Sequence, residues 1–172
     1  MEKMDLKALY QLSYGVYVVA SHLKGKLNGQ IANTVFQVCA EPPRLCASIN
    51  KENLTHDCIT DSGVWAVSIL DETTPFKFIG RFGFNCGRDL DKLSEVEHKI
   101  GVTGSPLVIE NSLAVMEVSV KDSMDAGTHT LFIGDIVSAE VLKAGNPLTY
   151  KYYHEVIKGK TPEKAATYQK GS

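Results

Sequence analysis

The sequence lacks the motifs that identify several large classes of protein. Its four cysteines, Cys39, Cys46, Cys58 and Cys86, form no C-x-x-C pair, which argues against a zinc ribbon or a redox dithiol. No G-x-G-x-x-G, P-loop, H-E-x-x-H or G-x-S-x-G motif occurs. The formal net charge of -2 is not the basic footprint of a nucleic-acid-binding protein. We therefore expect neither a metal site nor a nucleic-acid partner.

Long apolar runs are also absent. No stretch approaches the roughly 18 residues that a membrane-spanning helix requires. The charged residues 1–5 lead into no apolar segment of the kind that directs secretion. We therefore expect a cytoplasmic location and no membrane association. With 172 residues, of which 44% are apolar and 22% charged, the chain suits one globular domain.

What the sequence does contain is a series of short β-type runs separated by proline, glycine and polar turns. The predicted strands are residues 15–20, 31–40, 45–50, 64–70, 107–109, 113–120 and 129–142, and a short last strand through Leu148, Tyr150 and Tyr152. The predicted helices are residues 53–63, a segment that follows Thr74 and Pro75, and residues 89–100. Because regular crossover helices are missing between the strands, the pattern predicts an α+β, mainly β, antiparallel barrel with a few short helices.

Three local features refine this prediction. Residues 110–112 lie between two β runs and are typical of a hairpin turn. Gly134 interrupts a long β run, which indicates a bulge or a close backbone approach. From Lys158 onward the composition becomes polar. We therefore divide the chain into a domain of residues 1–157 and a loose or arm-like tail of residues 158–172.

One segment has the pattern of an anion-binding site. Residues 48–55 run off a predicted strand, pass Lys51 and open a helix at Asn53. Free backbone N–H groups and the positive end of a helix dipole attract anions at such a position. Lys51 would add charge there, and the Ser48 and Thr55 hydroxyls would donate hydrogen bonds. Ordinary strand–turn–helix capping produces the same pattern, so the residues alone leave both interpretations open.

Other polar residues stand where a ligand would use them. Asn33 and Thr34 interrupt an apolar run, and buried amides and hydroxyls need partners. They suit the edge of a flat heterocycle, and they suit a water-facing edge strand equally well. His129 begins a β run after a glycine-containing turn, a position from which it could bond a cofactor or a substrate. Arg88 and Lys92 place two cations around a predicted helix start, which is also typical of a solvated helix end.

Taken together, these segments resemble a known family. Residues 28–43 and 48–51 are similar to the flavin-reductase-like, split-barrel flavin-binding proteins. Residues 127–135 match that family's G-x-H-x-x-x-x-G-[ED] strand. Residues 87–92 resemble the branch that contains flavoredoxin and the flavin domain of high-molecular-weight rubredoxin. The resemblance extends over residues 6–167 and implies an antiparallel split β-barrel, usually a homodimer, with FMN near the subunit boundary.

The resemblance also implies roles for individual residues. Cofactor-binding roles would fall to Asn33, Thr34, Ser48, Asn50, Lys51, Thr55, Arg88, Lys92 and Tyr152. Of these, Asn33 and Thr34 would face the flavin ring and Tyr152 would pack against the cofactor. The others would hold the ribityl-phosphate arm or add positive charge at the phosphate. His129 would be the catalytic residue, close to the isoalloxazine or to the nicotinamide.

The function implied by the resemblance is that of an NAD(P)H-dependent flavin reductase-like oxidoreductase. It would transfer hydride from NADH or NADPH to bound FMN, and electrons would then pass to free flavin or to a rubredoxin-like acceptor. One alternative is a non-enzymatic FMN electron carrier, because no separate dinucleotide motif is present. A more distant alternative is a split-barrel interaction module without a cofactor. The tail resembles the linker before the iron domain of fused rubredoxin proteins, but no C-x-x-C pair follows it. An iron centre would therefore lie on a separate protein, unless the chain is a truncated one.

Overall fold

The computed structural model describes residues 4–168, so residues 1–3 and 169–172, including the end of the predicted tail, lie outside the described residues. Within that range, a short 3-10 helix (Leu6–Gln11) precedes nine strands and three α-helices. The strands are β1 (Tyr17–Leu23), β2 (Lys26–Ala32), β3 (Val35–Ala40), β4 (Pro43–Asn50), β5 (Val64–Leu70), β6 (His98–Ile100), β7 (Pro106–Val108), β8 (Ser112–Asp125) and β9 (His129–Val141). The helices are α1 (Leu54–Ser62), α2 (Phe76–Gly83) and α3 (Tyr150–Glu155).

Seven of the strands form one antiparallel sheet in the order β2-β1-β5-β8-β9-β4-β3, and β6 pairs with β7 separately. The seven-stranded sheet is curled, because Ala32 at the end of β2 shares a buried cluster with Ala47 and Ile49 of β4. In the described part of the chain, β2 and β3 form the two unpaired edges of this sheet. The predicted antiparallel, mainly β fold with a few short helices is therefore confirmed, as a curled sheet that stays open.

Strand β1 is buried on both of its faces. Val18 packs in one cluster with Phe82 of α2, whereas Val19 packs in a second cluster with Trp65 of β5. Successive side chains of a strand point to opposite faces of the sheet. One face of β1 therefore packs against α2, and the other face packs inside the curled sheet. Burying each such side chain contributes roughly 1.5–3 kcal/mol.

Helix α1 forms where the sequence predicts it. Asn53 is the N-cap, and Gly63 ends the helix in the left-handed region with φ of 69°. Cys58 and Ile59 are buried on its inner side. The helix therefore stands directly after β4, with its first turn at the end of the sheet.

The predicted single strand of residues 31–40 is wrong, because the chain leaves β2 after Ala32 and enters β3 at Val35. Asn33 and Thr34 form the break between the two strands. There the Thr34 carbonyl accepts a hydrogen bond from the Ser48 backbone N–H at 3.0 Å. The two polar residues that interrupt the apolar run thus mark the point at which one sheet edge ends and the other begins.

The helix predicted at residues 89–100 is also wrong. Arg81 captures the backbone carbonyls of Asp91 and Lys92, at 3.3 and 2.7 Å, and these are acceptors that a helix would need. Leu93 and Val96 are nevertheless buried, as their spacing predicted. Turns fill the segment up to β6.

Two further predictions near the C-terminal half need correction. The hairpin predicted at residues 110–112 is wrong: residues 109–111 join β7 to β8, but β7 pairs with β6, and β8 pairs with β5 and β9. The predicted last strand is helix α3, because the Thr149 hydroxyl accepts the Tyr152 backbone N–H at 3.1 Å and caps the helix. Gly134 does make the predicted close approach, since a Cβ there would clash with the Ser119 carbonyl.

Candidate functional site

A cavity of about 380 Å³ lies between β2, at one edge of the curled sheet, and the end of β4. Its walls are the outer edge of β2, the ends of β4 and β9, the first turn of α1, and the end of α2 with the loop after it. Helix α3 and residues 162–166 complete the enclosure. The polar lining side chains are Asn28, Gln30, Asn33, Ser48, Asn50, Thr55, Lys92 and His129, together with those of residues 52–53, 85–86 and 163–164.

Strand pairing brings together two of the segments that the sequence analysis singled out. In the β4–β9 ladder, Asn50 stands directly opposite His129, although 79 positions separate them in the chain. Asn33 lies beside them at the break between β2 and β3, and Ser48 lies two residues before Asn50 on β4. Six of the predicted site residues therefore line one cavity: Asn33, Ser48, Asn50, Thr55, Lys92 and His129.

The other four predicted residues lie near the cavity but do not line it. Thr34 donates a hydrogen bond to the Asn33 side chain at 3.1 Å. Lys51 forms an ion pair with Asp125 at 2.7 Å, and Arg88 forms one with Asp57 at the same distance. Tyr152 does not line the cavity, whereas Tyr150 and Tyr153 on the same helix α3 do.

The first turn of α1 opens onto the cavity. The Asn53 side chain makes no capping hydrogen bond within residues 4–168. The Asn50 side chain instead accepts the Glu52 backbone N–H at 3.0 Å, which holds the turn before the helix. The first N–H groups of a helix have no partner within the helix, so they and the dipole favour an anion here.

The Thr55 hydroxyl is fixed inside this turn. It accepts a hydrogen bond from the Asn28 side chain at 2.8 Å, and both residues are buried. Gly87 packs on the other side of Asn28, where a Cβ would clash with the Asn28 side-chain oxygen. The glycine of the residue 87–92 motif thus permits a close approach between the loop and β2.

Lys92 is a buried cation in the cavity wall, with only 5% of its surface exposed. Its Nζ donates hydrogen bonds to the carbonyls of Gly29 and Phe82, at 3.0 and 3.1 Å. Burial lowers the pKa of Lys92 to about 8. A lysine has three N–H groups, so one donor remains for a ligand.

His129 presents a ring nitrogen without a partner. Its Nδ1 lies 2.9 Å from the Thr128 hydroxyl, while its Nε2 is buried and has no hydrogen-bond partner in the described part of the chain. Burial lowers the pKa of His129, and the backbone of Lys164 beside the ring partly opposes this shift. The ring is therefore neutral at physiological pH. A buried, unpaired ring nitrogen is costly, and a ligand would satisfy it.

Aromatic side chains form the opposite wall of the cavity. Phe82, Phe84, Tyr150 and Tyr153 all line it, and the Tyr150 and Tyr153 rings stack with their centroids 6.2 Å apart. This pair was not predicted from the sequence, because the alternation of Leu148, Tyr150 and Tyr152 indicates a strand in this segment. The signal that would have found it is Thr149 as a helix N-cap, followed by tyrosines at i and i+3 spacing. The cavity therefore joins an anion site, a buried cation and a flat apolar wall.

These features define a site for a flat cofactor that carries an anionic group, and comparison with known proteins identifies the family. Residues 9–157 match the family described as the flavin reductase like domain. The chain is 49% identical over 165 residues to the ferric-chelate reductase (NAD(P)H) of Archaeoglobus fulgidus, a match that covers 96% of this chain and 98% of that protein. It is 44% identical over 168 residues to the high molecular weight rubredoxin of Moorella thermoacetica, covering 98% of this chain and 73% of that protein. The chain belongs to the flavin reductase like family.

A solved structure agrees on the fold. Flavoredoxin from Methanosarcina acetivorans superposes with a TM-score of 0.72 at 24% identity, over 82% of this chain and 76% of that one. The comparisons confirm the predicted family, the mainly β fold, and a flavin-reductase type of oxidoreductase that uses flavin and NAD(P)H. No helix among residues 4–168 is both long and apolar enough to cross a membrane.

Proposed function

We propose that the cavity binds FMN and that the chain catalyses its reduction by NADH or NADPH. Electrons then leave to free flavin or to a rubredoxin-like acceptor. The observation that carries this proposal is that the open first turn of α1 and the unpaired Nε2 of His129 border the same cavity. One is suited to a phosphate and the other to the polar edge of a heterocycle.

The residues present fit this cofactor. A volume of about 380 Å³ falls in the range of small-molecule sites, roughly 300–1,000 Å³. The side-chain oxygen of Gln30 is a second buried polar atom that lacks a partner among the described residues. A ring N–H of the ligand would satisfy this oxygen. In the same way, an acceptor on the ligand would satisfy the Nε2–H tautomer of the neutral His129 ring. The aromatic wall supplies a flat apolar surface of the kind on which heterocycles stack.

The phosphate arm has its own set of residues in this proposal. Ser48, Asn50 and Thr55 hold the ribityl-phosphate, with the backbone N–H groups of α1 around the phosphate. Lys92 lies in the wall as the nearest buried cation. Lys51 and Arg88 act from the rim, each already paired with a carboxylate, so their contribution is a screened field rather than a direct contact.

The ring has a separate environment. Asn33 bonds its edge from the break between β2 and β3, with the Thr34 hydroxyl holding the Asn33 side chain from outside the cavity, and Tyr150 and Tyr153 face the ring from α3. Bound flavin supplies the chemistry, accepting hydride and releasing electrons singly or in pairs. His129 orients the reactants with a neutral ring and no proton transfer is required of it. The Thr128 hydroxyl lies 2.9 Å from the Nδ1 of this histidine and bonds that side of the ring.

We also propose a cytoplasmic homodimer. Phe36 and Val38 are about half exposed on β3, an open edge of the sheet. Apolar side chains on an open edge are typical of surfaces that meet another chain.

The test begins with an absorption spectrum of the purified protein, followed by anaerobic mixing with NADH and with NADPH. Bleaching of the bound flavin is expected. A coloured protein that neither nucleotide bleaches would instead support the non-enzymatic electron carrier. A protein that stays colourless with added FMN would contradict the proposal altogether.

The phosphate assignment is tested by comparing FMN with riboflavin, which lacks the phosphate. The double variant Lys51→Ala/Thr55→Ala should lose affinity for FMN more than for riboflavin. Lys121→Ala is the matched control, because Lys121 also pairs with a carboxylate but lies outside the cavity lining. An unchanged FMN-to-riboflavin affinity ratio in the double variant would refute the assignment.

A further inference from the structure

The C-terminal segment does not leave the domain after α3. Residues 162–166 form part of the cavity wall. Together with Thr161 and Thr167, they contact three groups to which the proposed function gives roles: Asn33, His129 and Tyr150. Each of these groups is covered or bonded by the segment, as the following contacts show.

A chain of hydroxyl and amide contacts holds the far end of the segment. The Asn33 side-chain amide donates to the Thr167 hydroxyl at 2.7 Å, and Thr167 donates onward to the Tyr150 hydroxyl at 3.1 Å. Tyr150 also bonds the Thr161 hydroxyl. Lys164 adds an ion pair with Glu52 at 3.0 Å, across the mouth of the cavity. The Lys164 backbone lies beside the His129 ring.

The near end of the segment is held differently. Lys158 has φ of 61°, and a Cβ on Gly159 would clash with the Tyr153 ring, so the chain turns sharply against α3. The Gly159 N–H bonds the Tyr153 carbonyl at 3.0 Å, and the His154 ring bonds the Gly159 carbonyl at 2.9 Å. The Tyr153 hydroxyl donates to the Lys160 carbonyl at 3.1 Å. The base of the segment is thus anchored through the backbone.

The two ends differ in what must break to move them. Side-chain contacts hold the far end, and the Lys164–Glu52 pair has both partners more than half exposed. Exposed ion pairs of this kind contribute little. A segment with a fixed base, a lightly held tip and a cavity beneath it has the geometry of a hinged cover.

We infer that residues 161–167, here called the C-terminal lid, are a displaceable cover of the flavin cavity whose opening exposes His129 to the second reactant. The inference rests on the proposed function in one respect, namely that the cavity holds flavin. With the lid closed, the Nε2 of His129 is inaccessible. The lid also encloses the cavity and retains its contents.

The first test needs no flavin. Diethyl pyrocarbonate modifies accessible neutral imidazoles, and mass spectrometry measures the rate at His129 relative to His98 in the same molecule. His98 lies in β6, away from the lid. Thr167→Val/Lys164→Ala removes two hydrogen bonds, one from the Asn33 amide and one to the Tyr150 hydroxyl, and one exposed ion pair. Because the rate follows the population of the open form, the His129-to-His98 ratio should rise roughly fivefold to tenfold.

Lys160→Ala is the matched control, because Lys160 is exposed in the same segment and only its backbone carbonyl is bonded. Its ratio should equal that of the unaltered protein. An unchanged His129-to-His98 ratio in Thr167→Val/Lys164→Ala, or an equal rise in Lys160→Ala, would refute the inference that the C-terminal lid opens.

The second test measures the dissociation rate of FMN by the recovery of its fluorescence. The same double variant should release FMN about fivefold to tenfold faster, and Lys160→Ala should not. If the His129-to-His98 ratio changes as expected but the unaltered protein binds no FMN, the proposed function is refuted and the opening of the C-terminal lid is still supported. If FMN binds but its release is equal in all three proteins, the lid does not retain the cofactor.

Discussion

Replacing Lys92 by methionine should change the pH dependence of stability in a way that exposes the cost of burying this cation. Burial lowers the pKa of Lys92 to about 8, against 10.5 for a free lysine. Between these two pH values the unfolded chain holds a proton that the folded chain has lost. The free energy of unfolding therefore rises with pH across this window. Below pH 8 both states are protonated, and the full cost of the buried charge is present.

The size of the effect follows from the width of the window. A shift of about 2.5 pH units corresponds to roughly 3 kcal/mol at 1.36 kcal/mol per unit. Methionine fills a similar volume without a charge, although the carbonyls of Gly29 and Phe82 lose their donor. Those losses do not depend on pH. The difference in unfolding free energy between the unaltered protein and Lys92→Met should therefore move by about 3 kcal/mol between pH 7 and pH 10.5, in favour of the unaltered protein.

The assay is urea unfolding of the flavin-free protein, followed by the fluorescence of Trp65. This residue is the single tryptophan of the chain and is fully buried. Lys77→Met is the control, since Lys77 is an exposed lysine on α2, and its difference from the unaltered protein should stay level with pH. Parallel pH profiles for the unaltered protein and Lys92→Met would refute the reasoning. With FMN bound, the phosphate should restore the charge of Lys92 and flatten the profile.

Three other predictions concern single residues. Gly134→Ala should destabilise the protein by more than about 2 kcal/mol in the same urea assay, because the added Cβ meets the backbone of Ser119; a loss under about 0.5 kcal/mol would contradict this. Glu117→Gln should lower the free energy of unfolding by about 2–3 kcal/mol. The buried carboxylate accepts three hydrogen bonds from residues 102–103, two from backbone N–H groups and one from a hydroxyl. An unchanged melting temperature would contradict this prediction. Iodoacetamide at pH 7.5 should alkylate Cys86 before Cys58, and mass spectrometry measures the order. The backbone N–H of Arg88 lowers the pKa of the exposed Cys86 thiol. Burial raises the pKa of the Cys58 thiol to about 11. Equal rates at the two thiols would show that these environments do not govern reactivity.

The parts of the fold that the sequence predicted well are those governed by local rules. Helix α1 has a cap residue at one end and a left-handed glycine at the other, and both signals are readable within a dozen residues. The predicted runs of residues 113–120 and 129–142 correspond to strands β8 and β9. The segment of residues 89–100 failed because its helical spacing competes with a distant arginine. Arg81 donates hydrogen bonds to carbonyls that a helix would use as acceptors, and no local sequence pattern predicts this contact.

The site also combines features that local sequence predicts with features that only the tertiary structure determines. The local setting singled out His129 and the family resemblance assigned a role to Asn50, but their position opposite each other depends on the β4–β9 register. The place of Lys92 in the wall also follows from tertiary structure, since its pattern equally suits a solvated helix end. Tyr150 and Tyr153 were missed because alternation at 148, 150 and 152 outweighed the capping signal of Thr149. The role of residues 162–166 as a wall has no local signature, because their composition is that of a loose tail.

The pairing of Asn50 with His129 has a consequence for how the protein comes to hold a cofactor. A site whose halves lie 79 positions apart does not exist until most of the sheet has formed. Flavin therefore has little to bind in the early stages of folding, and long-range strand pairing of this kind is slow. A ligand that recognises only the finished sheet leaves the folding rate almost unchanged and instead slows unfolding. In a cell, a shortage of flavin would thus shorten the lifetime of the folded protein without preventing it from folding.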